Sequence, residues 1–245
     1  VDDLTLTTNA YLLPQQAHQL KYAGLKRITV SLDTMDEEVF KVMNGRGISI
    51  DRVLQGIDAA DAVGLSPIKI NAVVQKGVND HTVVELARYF KDSGRIVRFI
   101  EYMDVGNRNG WKWDQVVPSA EVIQRIDAEM PLEPIDSNYT GEVASRYRYR
   151  DGQGEIGVIS SVSQPFCSNC TRARLSTDGK LYTCLFAANG VSLRDEIRAG
   201  ASDDDLRTLI SKIWTQRTDR YSEERTELAP EQNTPSKVEM YQIGG

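Results

Sequence analysis

The first hundred residues alternate between two hydrophobic periods, and that alternation restricts the fold more than any other feature of this chain. Leu4 to Thr8 is a short β-like run. Pro14 suits the first turn of a helix that Gly24 can close, with Ala17, Leu20 and Ala23 at helical spacing. Ile28, Val30 and Leu32 alternate with Thr29 and Ser31 as a second strand. Thr34 and Glu37 form a capping-box pattern for the next helix, and Ile50, Val53, Leu54, Ile57 and Ala60 mark one more, which Gly64 can end. A third strand spans Ile68 to Val74. A helix carrying Val83, Leu86, Ala87 and Phe90 follows it, and a fourth strand runs from Ile96 to Met103. Repeated strand–helix units imply a parallel sheet, in which ligands collect beyond the carboxyl ends of the strands. Those ends are Thr7-Thr8-Asn9, Ser31-Leu32-Asp33, Val73-Val74-Gln75 and Glu101-Tyr102-Met103.

The chain then changes character. A polar loop bearing Trp111 and Trp113 precedes a helix opened by Pro118-Ser119. Pro131 to Pro134 has the composition of a linker, so the expected domains are 1–130 and 131–245. Arg146 to Arg150 alternates Arg and Tyr and turns at Asp151-Gly152 into Glu155 to Ser161, a solvated hairpin pattern. A helix begins near Ser202, where Asp204 and Asp205 are favourable first-turn charge. Residues 226–237 are polar and expected to be mobile.

All three cysteines lie in one stretch, S-Q-P-F-C-S-N-C-T-R-A-R-L-S-T-D-G-K-L-Y-T-C, as Cys167, Cys170 and Cys184. If Cys170 to Ser176 is extended, Cys170, Arg172 and Arg174 share a face. Asp178-Gly179 suits a two-residue hairpin turn, which would set Cys184 opposite Ala173. Three thiols beside two guanidiniums can bind a soft metal or an iron–sulfur cluster next to a phosphate. Zinc with a distant fourth ligand, buried unreactive thiols and a three-cysteine cluster with an open iron all remain. A disulfide framework does not suit an odd cysteine count. The only histidines, His18 and His81, lie far upstream.

The motif F-C-S-N-C-T-R-A-R-L-S-T-D-G-K-L-Y-T-C-L-F resembles the C-terminal cluster motif of the molybdenum cofactor biosynthesis protein A family, the GTP 3′,8-cyclases, which are radical S-adenosylmethionine (SAM) enzymes. The resemblance runs from L-T-T-N near residue 6 to Gly244-Gly245. It implies four parallel β/α units of a partial TIM-like radical SAM barrel, followed by a smaller α+β domain. It places a [4Fe–4S] cluster on Cys167, Cys170 and Cys184. GTP would contact Thr7, Lys69, Arg172, Ala173 and Arg174, with Arg98 a further phosphate contact, and SAM would contact Ser31 and Met103. Gly244 and Gly245 would form a tail in the active site. No acid–base residue is assigned. The family usually has Gly after L-T-T-N, where this chain has Ala10.

The resemblance further implies two clusters. One reduces SAM to methionine and a 5′-deoxyadenosyl radical, which takes the ribose 3′ hydrogen of GTP so that the carbon radical attacks C8 of guanine. The other holds guanine through its open iron. The C-x3-C-x2-C triad for the SAM-cleaving cluster does not occur here, and the chain opens with Val1, so a truncated chain, inactive alone, is expected, with the SAM-cleaving cluster present only in the full-length protein. Its partners would be GTP, a reducing electron donor and the next enzyme of the molybdopterin pathway, with a homodimer allowed. A net charge of −6 disfavours general nucleic-acid binding, no apolar run suits a membrane, and reduced thiols suit the cytoplasm. The competing class is a non-catalytic zinc or RNA-binding module.

Overall fold

The structure is a computed structural model that describes residues 1–225 and 237–243. It divides into two compact units. The first comprises residues 1–102 and 113–164, the second residues 103–112 and 165–245.

The first unit is a seven-stranded mixed sheet. Its strands are β1 (Thr5–Thr8), β2 (Arg27–Ser31), β3 (Ile68–Val74), β4 (Ile96–Glu101), β5 (Leu132–Ile135), β6 (Ser145–Tyr149) and β7 (Glu155–Ile159). The order across the sheet is β1-β2-β3-β4-β7-β6-β5. The first four strands and β7 are parallel, and β6 pairs antiparallel with both β7 and β5. Helices α1 (Leu13–Tyr22), α2 (Glu37–Asn44), α3 (Ile50–Ala62), α4 (Val83–Phe90) and α5 (Ser119–Asp127) lie between strands.

Strand periodicity builds the core. Ile68, Ile70, Ala72 and Val74 are buried on one face of β3, together with Val97 and Phe99 of β4. Val53, Ile57, Leu86, Phe90, Val122 and Ile126 of the helices join the same cluster. Apart from Ala72, each such side chain contributes roughly 1.5–3 kcal/mol on burial.

The expected boundary near residue 131 falls inside this unit, because Leu132–Ile135 is a strand rather than a linker. Pro134 is accommodated because β5 lies at the sheet edge, where a missing N–H breaks no ladder. The second helix is capped by Asp36, whose Oδ1 accepts the N–H groups of Glu38 and Val39 at 2.9 and 3.0 Å. The Thr34–Glu37 capping box does not form. Thr34 instead accepts the Asp36 N–H, and Glu37 accepts the Ile50 N–H at the start of α3.

The second unit has little regular structure. Strands β8 (Arg174–Leu175), β9 (Lys180–Tyr182) and β10 (Val191–Ser192) form a small antiparallel sheet, followed by α6 (Leu193–Arg198), α7 (Asp203–Thr215) and α8 (Tyr221–Glu224). Asp205 closes a capping box with Ser202, consistent with first-turn charge. No residue of α7 is buried.

Candidate functional site

Two polar constellations stand out, one in each unit. In the first, the sheet face opposite the helices carries a polar row. The register aligns Thr7 with Thr29 and Thr29 with Lys69. One step along, it aligns Ser31 with Asn71, Asn71 with Arg98, Arg98 with Gly157, and Gly157 with Arg146. The structure therefore gathers Thr7, Ser31, Lys69 and Arg98 on one face, as period two requires. Thr29 and Asn71 belong there too. The sequence signal for them was the polar phase of β2 and β3, which passed as ordinary alternation.

Asn71 Oδ1 accepts from Arg98 Nε at 2.9 Å, and Thr29 Oγ1 lies 3.5 Å from Arg98 Nη2. Gly157 leaves room for this guanidinium, since a Cβ there would press on Arg98 Cγ and Ala144 Cβ, each at 3.3 Å. Burial pushes the Arg98 guanidinium below its usual pKa, and Arg27 adds to that. Burial likewise depresses Lys69, with Arg98 and Arg27 as like-charged neighbours. The row thus carries recessed cations that repel one another.

The strand ends around this row are braced. Asp33 Oδ1 accepts the Val73 N–H at 2.8 Å, and burial raises its carboxyl to about 6 against the lowering effect of that bond. Asn79 donates to the carbonyls of Asp33 and Val73 and accepts from the Gln75 N–H, all at 2.8 Å. Glu101 is 2 % exposed and accepts the N–H groups of Ser119, Val162 and Ser163, each at 2.8 Å, plus the Ser163 hydroxyl. Ala10 adopts φ 62°, so the residue after L-T-T-N does occupy the conformation that favours Gly.

The second constellation holds the cysteines. All three are free and partly buried. Cys167 opens a 3-10 turn, Cys167–Asn169, and the Cys170 N–H returns to the Cys167 carbonyl at 3.1 Å. Arg172 Nη2 donates to Cys170 Sγ at 3.3 Å, and Arg217 Nη1 donates to the Cys170 carbonyl at 2.9 Å. Burial works to raise the Cys170 thiol, but Arg172 and Arg217 outweigh it and the net shift is downward. Burial raises Cys184, and Asp219 and the other two thiols add to that. Arg174 is depressed by burial and by Arg172, while Cys184 and Cys170 support its charge. The motif's thiols and guanidiniums thus act on one another. Ala173 is exposed on the same stretch, and Met103 lies at the start of the other segment of this unit.

The hairpin differs from expectation in two respects. Only Arg174–Leu175 of the Cys170–Ser176 stretch pairs as strand. The turn has three residues. Ser176 N–H donates to the Lys180 carbonyl and Gly179 N–H to the Ser176 carbonyl, both at 2.9 Å. Gly179 alone takes positive φ, at 80°. The Ser176 hydroxyl, which accepts from Lys180 N–H at 3.0 Å, favours this longer closure. The register Arg174↔Tyr182 puts Arg172, not Ala173, in line with Cys184.

Among the described residues no group of three or more His, Cys, Asp or Glu side chains is close enough to hold a metal ion. The donor chemistry nevertheless fits a soft metal or iron–sulfur cluster: three reduced thiols, one of them shifted toward thiolate by the Arg172 backbone N–H and guanidinium. Gly244 and Gly245 lie outside the described residues, as do residues 226–236. No helix among the described residues is long and apolar enough to cross a membrane.

Comparison with known proteins covers both stretches of the chain. The family model of the Radical SAM superfamily matches residues 1–90, and that of Molybdenum Cofactor Synthesis C matches residues 95–223. A protein of Acidothermus cellulolyticus is 53% identical over 229 residues, covering 92% of this chain and 63% of the relative. Others from Staphylococcus carnosus and Xanthomonas campestris are 48% and 49% identical over the whole of this chain, covering 72% and 71% of theirs. All three are named GTP 3′,8-cyclase. This chain therefore spans between about three fifths and three quarters of the length of these relatives.

Proposed function

This chain belongs to the GTP 3′,8-cyclase family of the radical SAM superfamily, and on that premise we propose that it carries the nucleotide- and cluster-binding machinery for converting GTP to 3′,8-cyclo-7,8-dihydro-GTP in molybdenum cofactor biosynthesis. The observation that carries the reading is the Arg172–Cys170 contact of 3.3 Å within a set of three free thiols. An ordinary buried thiol has no use for a guanidinium; a thiolate ligand does.

On this reading Cys167, Cys170 and Cys184 hold a [4Fe–4S] cluster, which when bound supplies an open Lewis-acidic iron to the purine. Arg172 steadies the Cys170 thiolate, and it forms a phosphate-binding pair with Arg174, beside Ala173. Lys69, Arg98 and Thr7 bind anionic oxygen, and Ser31 and Met103 bind SAM. The sheet is then the remaining arc of a TIM-like barrel whose inward face is the polar row. A double-glycine tail in the active site, a second cluster, an external electron donor, a successor enzyme that takes the product, a homodimer and a cytoplasmic setting complete the proposal. The 245 residues contain a single cysteine triad, so this chain alone is expected to bind without turnover.

Anaerobic reconstitution with iron and sulfide tests the reading. The chain should take up one [4Fe–4S] cluster, and Cys170→Ala should lose most of it. In loaded protein, Arg172→Ala should weaken GTP binding by about 1.5–3 kcal/mol with the cluster spectrum retained. Stoichiometric zinc and no iron in anaerobically purified protein would reject the reading in favour of a zinc module.

A further inference from the structure

In the second unit a carboxylate lies among cations and aromatic rings drawn from four separate segments. Asp104 follows Met103 in the turn that leaves β4. Its side chain is 12 % exposed, and those of Arg225 and Lys237 are 4 and 8 % exposed. Lys237 Nζ donates to Asp104 Oδ2 at 2.6 Å and to the Asp104 carbonyl at 2.8 Å. The Tyr221 hydroxyl donates to the same Oδ2 at 2.5 Å, and Arg225 Nε pairs with Oδ1 at 2.8 Å. Burial alone would raise the Asp104 carboxyl, but Lys237, Tyr221 and Arg225 hold it below its ordinary pKa.

Aromatic rings enclose the charges. Phe186 stacks on Tyr221 with centroids 4.6 Å apart, and both Lys237 and Arg225 lie over those two rings. Backbone bonds continue the assembly. Lys237 and Asn107 exchange hydrogen bonds at 3.0 and 2.5 Å, and Val238 N–H donates to the Ala187 carbonyl at 3.2 Å.

Two of these groups lead to the cysteines. Phe186 N–H donates to Cys184 Sγ at 3.4 Å. Helix α8, which carries Tyr221, also carries Glu223, whose Oε1 accepts the Ser168 N–H in the Cys167–Asn169 turn at 3.2 Å. Cys167 and Cys184 reach one assembly by different routes, through α8 and through Phe186, and the residues 237–239 segment reaches it through Lys237.

We infer that Asp104 is a positioning residue that couples the cysteine-bearing turn to the C-terminal segment, so that the spacing of Cys167 and Cys184 depends on a carboxylate that touches neither. Breaking a buried ion pair by neutralising one member leaves the opposing charges uncompensated, which makes this a sensitive point. The metal consequence rests on the function proposed above; the mechanical coupling does not.

Hydrogen exchange on the full 245-residue chain without metal reads the coupling directly. Asp104→Asn should speed exchange on the order of a hundredfold at residues 237–243 and also at 167–170, with β2 and β3 unchanged. Acceleration at 237–243 alone would overturn the inference. Tyr221→Phe, which removes one hydroxyl, should produce the same pattern at lower amplitude, and it decides the matter if Asp104→Asn does not fold. A second arm loads iron and sulfide and challenges with a chelator. Asp104→Asn should lose iron about tenfold faster than the parent; equal rates would overturn the inference. A parent chain that takes up no iron would count against the proposed function, while the exchange result would still decide the coupling.

Discussion

The sheet unit and the cysteine unit are built on opposite plans. In the sheet unit, four of the seven residues of β3 are buried in strict alternation, and five helices are available to cover them. In the cysteine unit the strands are two or three residues long and a thirteen-residue helix buries nothing. Order there comes from polar contacts: Ser176 around its hairpin, Glu223 on the Cys167 turn and the assembly around Asp104. Burial of apolar area needs no particular ligand, whereas polar contacts on a sparse core leave room for a metal to supply the remaining stability.

The sharpest way to break that contrast is to remove equal apolar groups from each. Ile70→Ala in β3 should cost about 2–5 kcal/mol in urea melts, whereas Leu206→Ala on α7 should cost less than about 1 kcal/mol. Equal losses would mean that the second unit has a core after all.

A smaller effect comes from Asp33, and its sign is distinctive. The folded carboxyl titrates at about 6 against an ordinary 3.8, so the folded chain binds the proton more tightly. Below about pH 4 both states are protonated and there is no penalty. Between pH 4 and 6 stability falls, by at most about 3 kcal/mol. Asp33→Asn should flatten that slope and be more stable than the parent at pH 7.5, since an amide oxygen can still accept the Val73 N–H. A steeper slope in the variant would contradict this.

Next in size is the thiol chemistry of the other unit. Arg172→Ala keeps the backbone N–H of residue 172 and Arg217, but removes the guanidinium's hydrogen bond and charge, which also hold Cys170 below its ordinary pKa. The pH midpoint for alkylation of Cys170 in metal-free protein should therefore move upward, while that of Cys184 moves less. An unmoved midpoint would show that the 3.3 Å contact carries no charge stabilisation.

Legibility in the sequence follows the same division. Ile68–Val74 could be delimited from sequence because alternation between a packed and a polar face leaves a period of two. A period of two implies that Lys69 and Asn71 share a face, but Asn71 drew no attention in the sequence, which could not show that Arg98 bonds it, because register across a parallel pair depends on the intervening helix. Pro131–Pro134 was misleading: an imino acid suggests a linker, and only the edge position of β5 makes a strand possible. The Asp178-Gly179 pair suggested the shortest turn, and the Ser176 hydroxyl selected a longer one. The cysteines were legible by spacing, whereas Asp104 was not, since a single acid after a strand leaves no pattern and its partners lie far along the chain.

The smallest effect should be Ala10→Gly. Relief of the φ 62° conformation is worth roughly 1–2 kcal/mol. Against it stand about 0.8 kcal/mol for a buried methyl and about 0.5–1 kcal/mol for glycine's added freedom in the unfolded chain. Thermal melts should differ by little. A large gain would show that the turn after β1 is strained beyond its dihedral.

Gly157 implies that the anion face can be silenced without altering one charge. A single added methyl there would leave the hydrogen-bonded ladder intact and remove no charge. It would nevertheless crowd the stem of Arg98 from one side and Ala144 from the other, tilting the guanidinium away from Asn71. A lineage that drifted from glycine to alanine at this position would keep its net charge, its fold and its cysteine motif, and could still lose the Arg98–Asn71 bond. For the proposed nucleotide site, the smallest residue in β7 is therefore as informative as the arginine it faces.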